Sequence, residues 1–304
     1  MIGRRVVPLL LAKGHEVTAG VRADSRRPAQ WGGEVRTAPV DLFDQATLTP
    51  ALRGQDAAIN LATHMPSTST KMLFRRFWRE NDRIRREGSR NLVEAALASG
   101  VRRLLQESFA PAYPDRGDEW IDESVPLEPG AYNRTLLDAE ASARRFSAAG
   151  RIGLVLRFAS FYGPDSYPLK DFIRGLRHGW AFLPGGPRRF LSSVSHDDAA
   201  TAVVAALDAG PGEYNVVEDE PVRREVYAGT LATLIGARPP RFPPDWATPL
   251  FGVAGALARS LRISNRKLRE ETGWRPRYPS VLEGLPATLR EMGGGRRFAS
   301  ARSG

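Results

Sequence analysis

Three short strand-forming runs constrain this chain more than any other feature: DAAINLA from Asp56, which is apolar almost throughout, with VRRLLQES from Val101 and GLVLRF from Gly153. A strand that is apolar at nearly every position, rather than at every second one, must be covered on both faces. That is the mark of an inner strand in a parallel sheet. Parallel strands need crossover connections of a dozen residues or more, and helix-length segments separate these runs. The pattern predicts helices over about 2–13, 71–99 and 132–149, a short one through Leu48 to Leu52, and further strands at His15–Val21 and Glu34–Val40. Pro8 falls inside the first helix, which is expected to kink or begin late. After Tyr162-Gly163-Pro164 the rhythm breaks into Pro/Gly-rich connections (LPGGP, PRFPPDWATP) with amphipathic helices near 197–208 and 224–235. The fold class expected is α/β, a doubly wound parallel sheet over 1–162 with a smaller α/β cap over 163–292, some of whose segments return to the sheet. Residues 293–304 read as a disordered tail.

Composition removes several classes of function. There is no cysteine, so neither a disulfide framework nor a thiolate ligand or nucleophile is available. The four histidines (His15, His64, His178, His196) never stand four apart, and no metal site is expected. No apolar run approaches the ~20 residues of a membrane span, no signal peptide is apparent, and a cytoplasmic setting without membrane partners is expected. The net charge is +10, carried mostly by arginine, with Lys13, Lys71, Lys170 and Lys267 the only lysines. The basic residues are interleaved with acids, as in RRFWRENDRIRREGSR from Arg75. They do not alternate with stacking aromatics as a single-strand binder requires, so nucleic acid is not an expected partner. An anionic small molecule such as a phosphorylated cofactor accounts for the excess.

Eight segments carry a family pattern in order: IGRRVVPLLLAKGHEV, VDLFD, DAAINLA, GSRNLVEAALASGVRRLL, DESVPLEPGAYNRTLLDAE, LRFASFYGP, SVSHDDAATAVVAAL and GEYNVVEDEPV. Together, from Gly3 to about Tyr278, they make the chain resemble the extended short-chain dehydrogenase/reductase family, the NAD(P)-dependent epimerase/dehydratase group. The resemblance implies a Rossmann-like fold, a dinucleotide cofactor and a small carbonyl or hydroxyl substrate. It also implies a homodimer formed through the helices near 75–99 and 132–149.

The resemblance exposes three departures. The family places a strand and a TGxxGxxG turn before the first helix, where backbone N–H groups meet the pyrophosphate. Here Gly3 matches only the last glycine, so the Rossmann-like sheet is expected to lack its first strand, and a start upstream of Met1 is expected. At the catalytic centre Tyr132 matches the family tyrosine, but the lysine position four residues on is Leu136. The serine position falls on Phe109, with Ser108 one residue earlier. An ordinary phenol ionises near pH 10, so a neutral-pH phenolate would need about 4 kcal/mol of differential stabilisation. Leu136 supplies none. Oxidation, which needs a base, is therefore handicapped, and reduction by a neutral phenol less so. Glu107, at an apolar strand end, and His64, just after the run that ends at Ala62, are further acid/base candidates. Glu107 has a salt bridge to an arginine as its bland alternative, and Tyr113 and Asp115 are candidates for lining the substrate site. The third departure is Arg85, which stands where the family has an asparagine, with Asn81 one turn upstream.

For the cofactor, Arg22 ends the second family strand and is followed by Ser25, Arg26 and Arg27. An arginine there suits a 2′-phosphate, so NADP is preferred, with NAD left possible by Asp24. By resemblance, Gly3 would face the pyrophosphate, Asp41 and Leu42 the adenine, and Ala62 and Tyr132 the inner cofactor edge. The leading expectation is an NAD(P)-dependent oxidoreductase or epimerase/dehydratase-like enzyme with a degraded Ser-Tyr-Lys triad. The alternatives are a non-catalytic NAD(P)-binding regulatory protein and a non-redox lyase or isomerase.

Overall fold

A computed structural model describes residues 2–22, 28, 31, 33, 35–66, 68–72, 74–178, 183, 185–242, 255 and 257–293. Asp24, Ser25, Arg26 and Arg27 of the cofactor reading, and the expected tail from 294 onward, lie outside the described residues. In chain order the elements begin α1 (Gly3–Ala12), β1 (Thr18–Val21), β2 (Arg36–Pro39), α2 (Gln45–Leu52) and β3 (Ala57–Asn60). They continue α3 (Ser69–Met72), α4 (Arg79–Arg83), α5 (Ser89–Ala98), β4 (Arg103–Phe109), β5 (Trp120–Ile121), α6 (Leu136–Ala148) and β6 (Ile152–Phe158). The remainder holds β7 (Ser160–Tyr162), α7 (Tyr167–Arg177), β8 (Phe190–Leu191), β9 (Ser193–Ser195), α8 (His196–Ala205) and β10 (Gly212–Val216). After these come β11 (Val222–Arg223), α9 (Arg224–Leu234), β12 (Arg262–Ile263) and the helices Arg266–Thr272 and Val281–Glu291.

The three apolar runs become β3, β4 and β6, joined by β10 in an all-parallel sheet of order β10-β6-β4-β3. Alternation along β4 explains why both faces are apolar. Leu104 packs with Leu92, Val93 and Phe146 of α5 and α6, while Leu105 faces α1 and α8 with Leu154 and Leu156. Each such side chain removed from water contributes roughly 1.5–3 kcal/mol before the entropy of ordering is set against it. Strand β1 pairs with β2 and not with β3, so a two-stranded parallel sheet stands apart from the four-stranded one among the described residues. This is the Rossmann-like sheet without a first strand. Helix α1 bridges the two parts: Val6 and Leu10 enter the larger core, and Val7 packs with Ala19, Trp31 and Val35.

Pro8 sits inside α1 without ending it. Its missing N–H leaves the Arg4 carbonyl without a helical donor, and the Trp31 indole N–H donates to that oxygen at 3.4 Å. The expected helical region over 71–99 is present, running without interruption from 75 to 98 but changing type along its length. A 3-10 turn (Arg75–Trp78) precedes α4, and a π-helical turn (Ile84–Gly88) precedes α5. The π turn brings Arg85 inside and sets Gly88 against Leu42, where an added Cβ would lie 3.2 Å from the leucine Cβ. The helix expected from 132 begins at Leu136, and Tyr132 lies in the preceding turn, closed by Asn133 N–H to the Gly130 carbonyl. Late segments return to the sheet region: β10 flanks β6, and β12 pairs in parallel with β5.

One buried polar network ties β4, β6, α6 and β10 together. Arg157 donates from Nε and Nη2 to the two carboxylate oxygens of Glu140, each at 2.9 Å. Ser108 donates to Glu140 at 2.7 Å, Arg157 Nη1 to the Tyr113 hydroxyl at 2.8 Å, and Tyr113 to Asn215 Oδ1 at 2.9 Å. Burial alone would raise the pKa of Glu140, which is 1% exposed, but the bonds and charge of Arg157 outweigh it. With Ser108 and Arg144 they hold the carboxyl below its usual range. Replacing Arg157 by Met strands that carboxylate and is expected to cost about 3–5 kcal/mol in urea unfolding. Because the pKa of Glu140 is lower folded than unfolded, its contribution is complete above the ordinary glutamate pKa. It fades as pH falls through the folded value, so the stability gap between wild type and Glu140→Gln should narrow in acid. A gap independent of pH would contradict the assignment.

Candidate active site

Doubly wound sheets bind ligands at the carboxyl ends of their parallel strands, and α1 packs against both the β1–β2 pair and the larger sheet. Gly3 opens α1, whose N-cap Ile2 offers no side-chain bond and whose first turn carries no acid. An added Cβ at Gly3 would meet nothing within 4 Å, so the helix start is open to a phosphate. Arg4 and Arg5 flank it, held by Asp165, with Arg5 also on Asp197 at 2.8 Å. Burial would raise Asp165, but the two arginines hold it down at about 2. Exposed Arg22 follows β1. Beyond β2, the Asp41 carboxylate accepts from Phe43 N–H at 2.9 Å, Leu42 packs on Gly88, and the Arg83 guanidinium lies 3.6 Å over the Phe43 ring. Beyond β3, Ala62 N–H donates to Asn60 Oδ1 at 3.2 Å. An uncapped helix start, the exposed cation Arg22 after β1 and half-buried Leu42 suit a dinucleotide, and the residues present fit that group.

Tyr132 is 2% exposed and its ring meets Trp78 edge-on, with centroids 5.0 Å apart. Thr135 donates to Asp82 at 2.7 Å, fastening the tyrosine's turn to α4. The phenol oxygen has no partner within the chain. Burial pushes the phenol up to about 12, against the opposing charges of Arg259 and Arg85. At neutral pH only about one molecule in 10⁵ would carry the phenolate. Leu136 is fully buried and adds no charge, and Phe109 at the serine position adds no donor.

Glu107 does not stand in the cleft as a lone acid. Arg85 Nη2 donates to it at 2.7 Å, with the two side chains 3% and 11% exposed, so its first partner is a guanidinium. Ser108 is turned away from Tyr132, because its hydroxyl is committed to Glu140 on the α6 face. Tyr113 likewise belongs to the buried network rather than to a substrate surface, and burial pushes it up to about 12. Asp115 pairs with Arg189. His64 is exposed just past β3, its backbone N–H donating to Asn81 Oδ1 at 3.0 Å. Buried His196, beside Arg5 and Phe161, is a group the sequence reading passed over. Burial lowers it to about 4, so it is neutral.

Several buried side-chain atoms in this region lack a partner among the described residues: Asn81 Nδ2, Arg85 Nε, Ser89 Oγ, Glu107 Oε2, Tyr132 OH and Asn133 Oδ1. Arg259 was missed as a neighbour of Tyr132. It belongs to the segment before β12, where its Nη1 donates to the carbonyls of Tyr113 and Glu128. A buried hydroxyl without a partner is a desolvation cost, so Tyr132→Phe is expected to leave stability unchanged or raise it by up to about 1 kcal/mol. The phenol's folded pKa lies above its unfolded one, so the neutral form carries its contribution below about pH 10. That contribution is lost as pH rises towards the folded value, and the alkaline limb of a stability profile should be shallower in Tyr132→Phe. A steeper limb in the variant would contradict this.

The NAD(P)H-binding family matches residues 1–149. A 3-diazoavenalumate denitrifying reductase from a Streptomyces species is 32% identical over 304 residues, spanning 94% of this chain and 96% of its own length. A ceramide reductase from Caulobacter vibrioides is 26% identical over 303 residues, 94% of this chain and 86% of its own. Among solved structures, dTDP-glucose 4,6-dehydratase DesIV from Streptomyces venezuelae, with NAD and TYD bound, superposes with a TM-score of 0.79. It is 22% identical and covers 98% of this chain and 95% of its own, a likeness that establishes the fold.

Proposed function

The chain belongs to the extended short-chain dehydrogenase/reductase family, the NAD(P)-dependent epimerase/dehydratase group, and from that premise we propose that it is an NADPH-dependent reductase of a small carbonyl-type electrophile. The observation that carries this reading is the buried, neutral Tyr132 with Leu136 four residues later. A phenol that keeps its proton can donate it to a substrate oxygen but is a poor base for removing one. Reduction needs the donor, whereas epimerisation and dehydration begin with an oxidation that needs the base. The names of two relatives, a denitrifying reductase and a ceramide reductase, support the same direction. Reductive loss of nitrogen from a diazo group, as the first name states, asks the protein to abstract no hydroxyl proton. Diazo compounds therefore join carbonyl compounds as candidate substrates.

The reduced nicotinamide, when bound, supplies the hydride. The protein's own part is to hold and orient. The open start of α1 at Gly3 receives the pyrophosphate, Asp41 and Leu42 border the adenine, Arg22 meets the 2′-phosphate, and Ala62 borders the inner edge. Tyr132 presents its proton to the substrate oxygen. The closed packing of Trp78 on Tyr132 excludes water, which strengthens that hydrogen bond. His64, exposed at the end of β3, stands where a returning proton can enter.

The test is fluorescence titration with NADPH and NADH, followed by oxidation of NADPH against a panel of aldehydes, ketones and diazo compounds. NADPH is expected to bind more tightly than NADH. Arg22→Asp should weaken NADPH binding by about 10- to 100-fold, the worth of a charge-assisted hydrogen bond, with little effect on NADH. Tighter NADH binding by the wild type would overturn the cofactor assignment. Tight NADPH binding with no turnover across the panel would favour a regulatory protein instead.

A further inference from the structure

We propose that Arg85, held by Glu107, is a catalytic donor that shares the substrate oxygen with Tyr132, in the role a serine has elsewhere in the family. The inference rests on the reductase reading above. The π-helical turn Ile84–Gly88 carries the Arg85 side chain inside, where its Nη2 is spent on Glu107 at 2.7 Å and its Nε has no partner among the described residues. Tyr132 is fastened to the same stretch through Trp78 and through Thr135 on Asp82, and its unpartnered phenol lies within the field of Arg85. Asn81, one turn earlier, is fixed by His64 N–H through Oδ1 and leaves its Nδ2 donor unpartnered. Phe109 and Leu136 bring no donor of their own. Among the described residues, the donors left for an oxygen here are thus the phenol, the guanidinium Nε–H, the Asn81 amide and the Ser89 hydroxyl.

The pairing with Glu107 says what kind of substrate this donor set takes. Glu107 balances the guanidinium, so the resting site has little net charge to attract a carboxylate. It suits an uncharged carbonyl, ketone or aldehyde, whose oxygen becomes negative only as reaction proceeds. In that step the carbonyl carbon gains a hydride from the reduced nicotinamide, and the π electrons move onto oxygen. That oxygen takes the phenol proton of Tyr132, so the carbonyl is reduced to an alcohol and the dinucleotide is oxidised. Donors aimed at a charge that develops late act on kcat more than on KM.

Arg85→Gln alone would strand the Glu107 carboxylate and is liable to unfold, so the Arg85→Gln/Glu107→Gln double variant is measured beside it and beside Arg85→Ala. Removal of one such donor is expected to lower kcat about 10²- to 10³-fold with KM changed only a few-fold. NADPH affinity and the melting curve of the double variant should stay close to wild type. Millimolar guanidinium should restore part of the Arg85→Ala rate where tetramethylammonium does not. A folded double variant with wild-type kcat overturns the proposal, as does a loss that appears equally in NADPH affinity and is not rescued. A wild type that turns over nothing on the panel fails the reductase reading alone. Binding of 4-nitrophenolate, whose oxygen already carries the charge, to the NADP⁺-loaded protein, by calorimetry, then decides Arg85: at least tenfold weaker binding in the double variant supports it, and equal binding overturns it.

Discussion

The bidentate grip of Arg157 on Glu140 holds together the elements on which the site is mounted. It joins β6 to α6, takes in Ser108 of β4, and reaches Asn215 of β10 through Tyr113. An ion pair in that position is costly to desolvate and stable only when every remaining lone pair and proton is met, which is the arrangement seen. The tyrosine's turn hangs from the N-terminal end of α6, so the orientation of that helix on the sheet decides where the phenol lies. Ser108 illustrates the consequence: a hydroxyl that could have faced the cleft is instead bound to Glu140.

At Tyr132 two effects oppose one another. Burial favours the neutral phenol, and the guanidinium groups of Arg259 and Arg85 favour the anion. Burial wins, because neither arginine touches the oxygen and Glu107 balances the nearer electrostatics of Arg85. A lysine placed four residues after the tyrosine would shift this balance; Leu136 leaves it where desolvation puts it. The result is a phenol that keeps its proton in a largely water-free setting.

Much of the fold was legible in advance. The continuous apolar runs specified β3, β4 and β6 because a two-sided burial requirement leaves a local trace. Helices α8 and α9 were equally readable from periodicity. The helical region over 71–99 was legible too, but its π turn at Ile84–Gly88 was not: Arg85 there pairs with Glu107, a residue 22 positions away on a strand, and apolar spacing carries no trace of such a pairing. The start of α6 was misplaced by four residues, since turn bonds around Asn133 and Leu136 satisfy the same residues that a helical turn would.

Residue identity alone determined that Leu136 follows Tyr132 at four residues, and that an arginine stands at position 85. It also determined that α1 begins at a glycine suited to a phosphate. Only the folded chain decided that Glu107 is an ion-paired carboxylate, that Ser108 belongs to the core, and that Arg259 and Arg85 flank the phenol. The reason is physical. Hydrophobic periodicity is written locally, one turn or one strand at a time. The partner of a buried charge is chosen by whichever distant side chain the packing brings within reach.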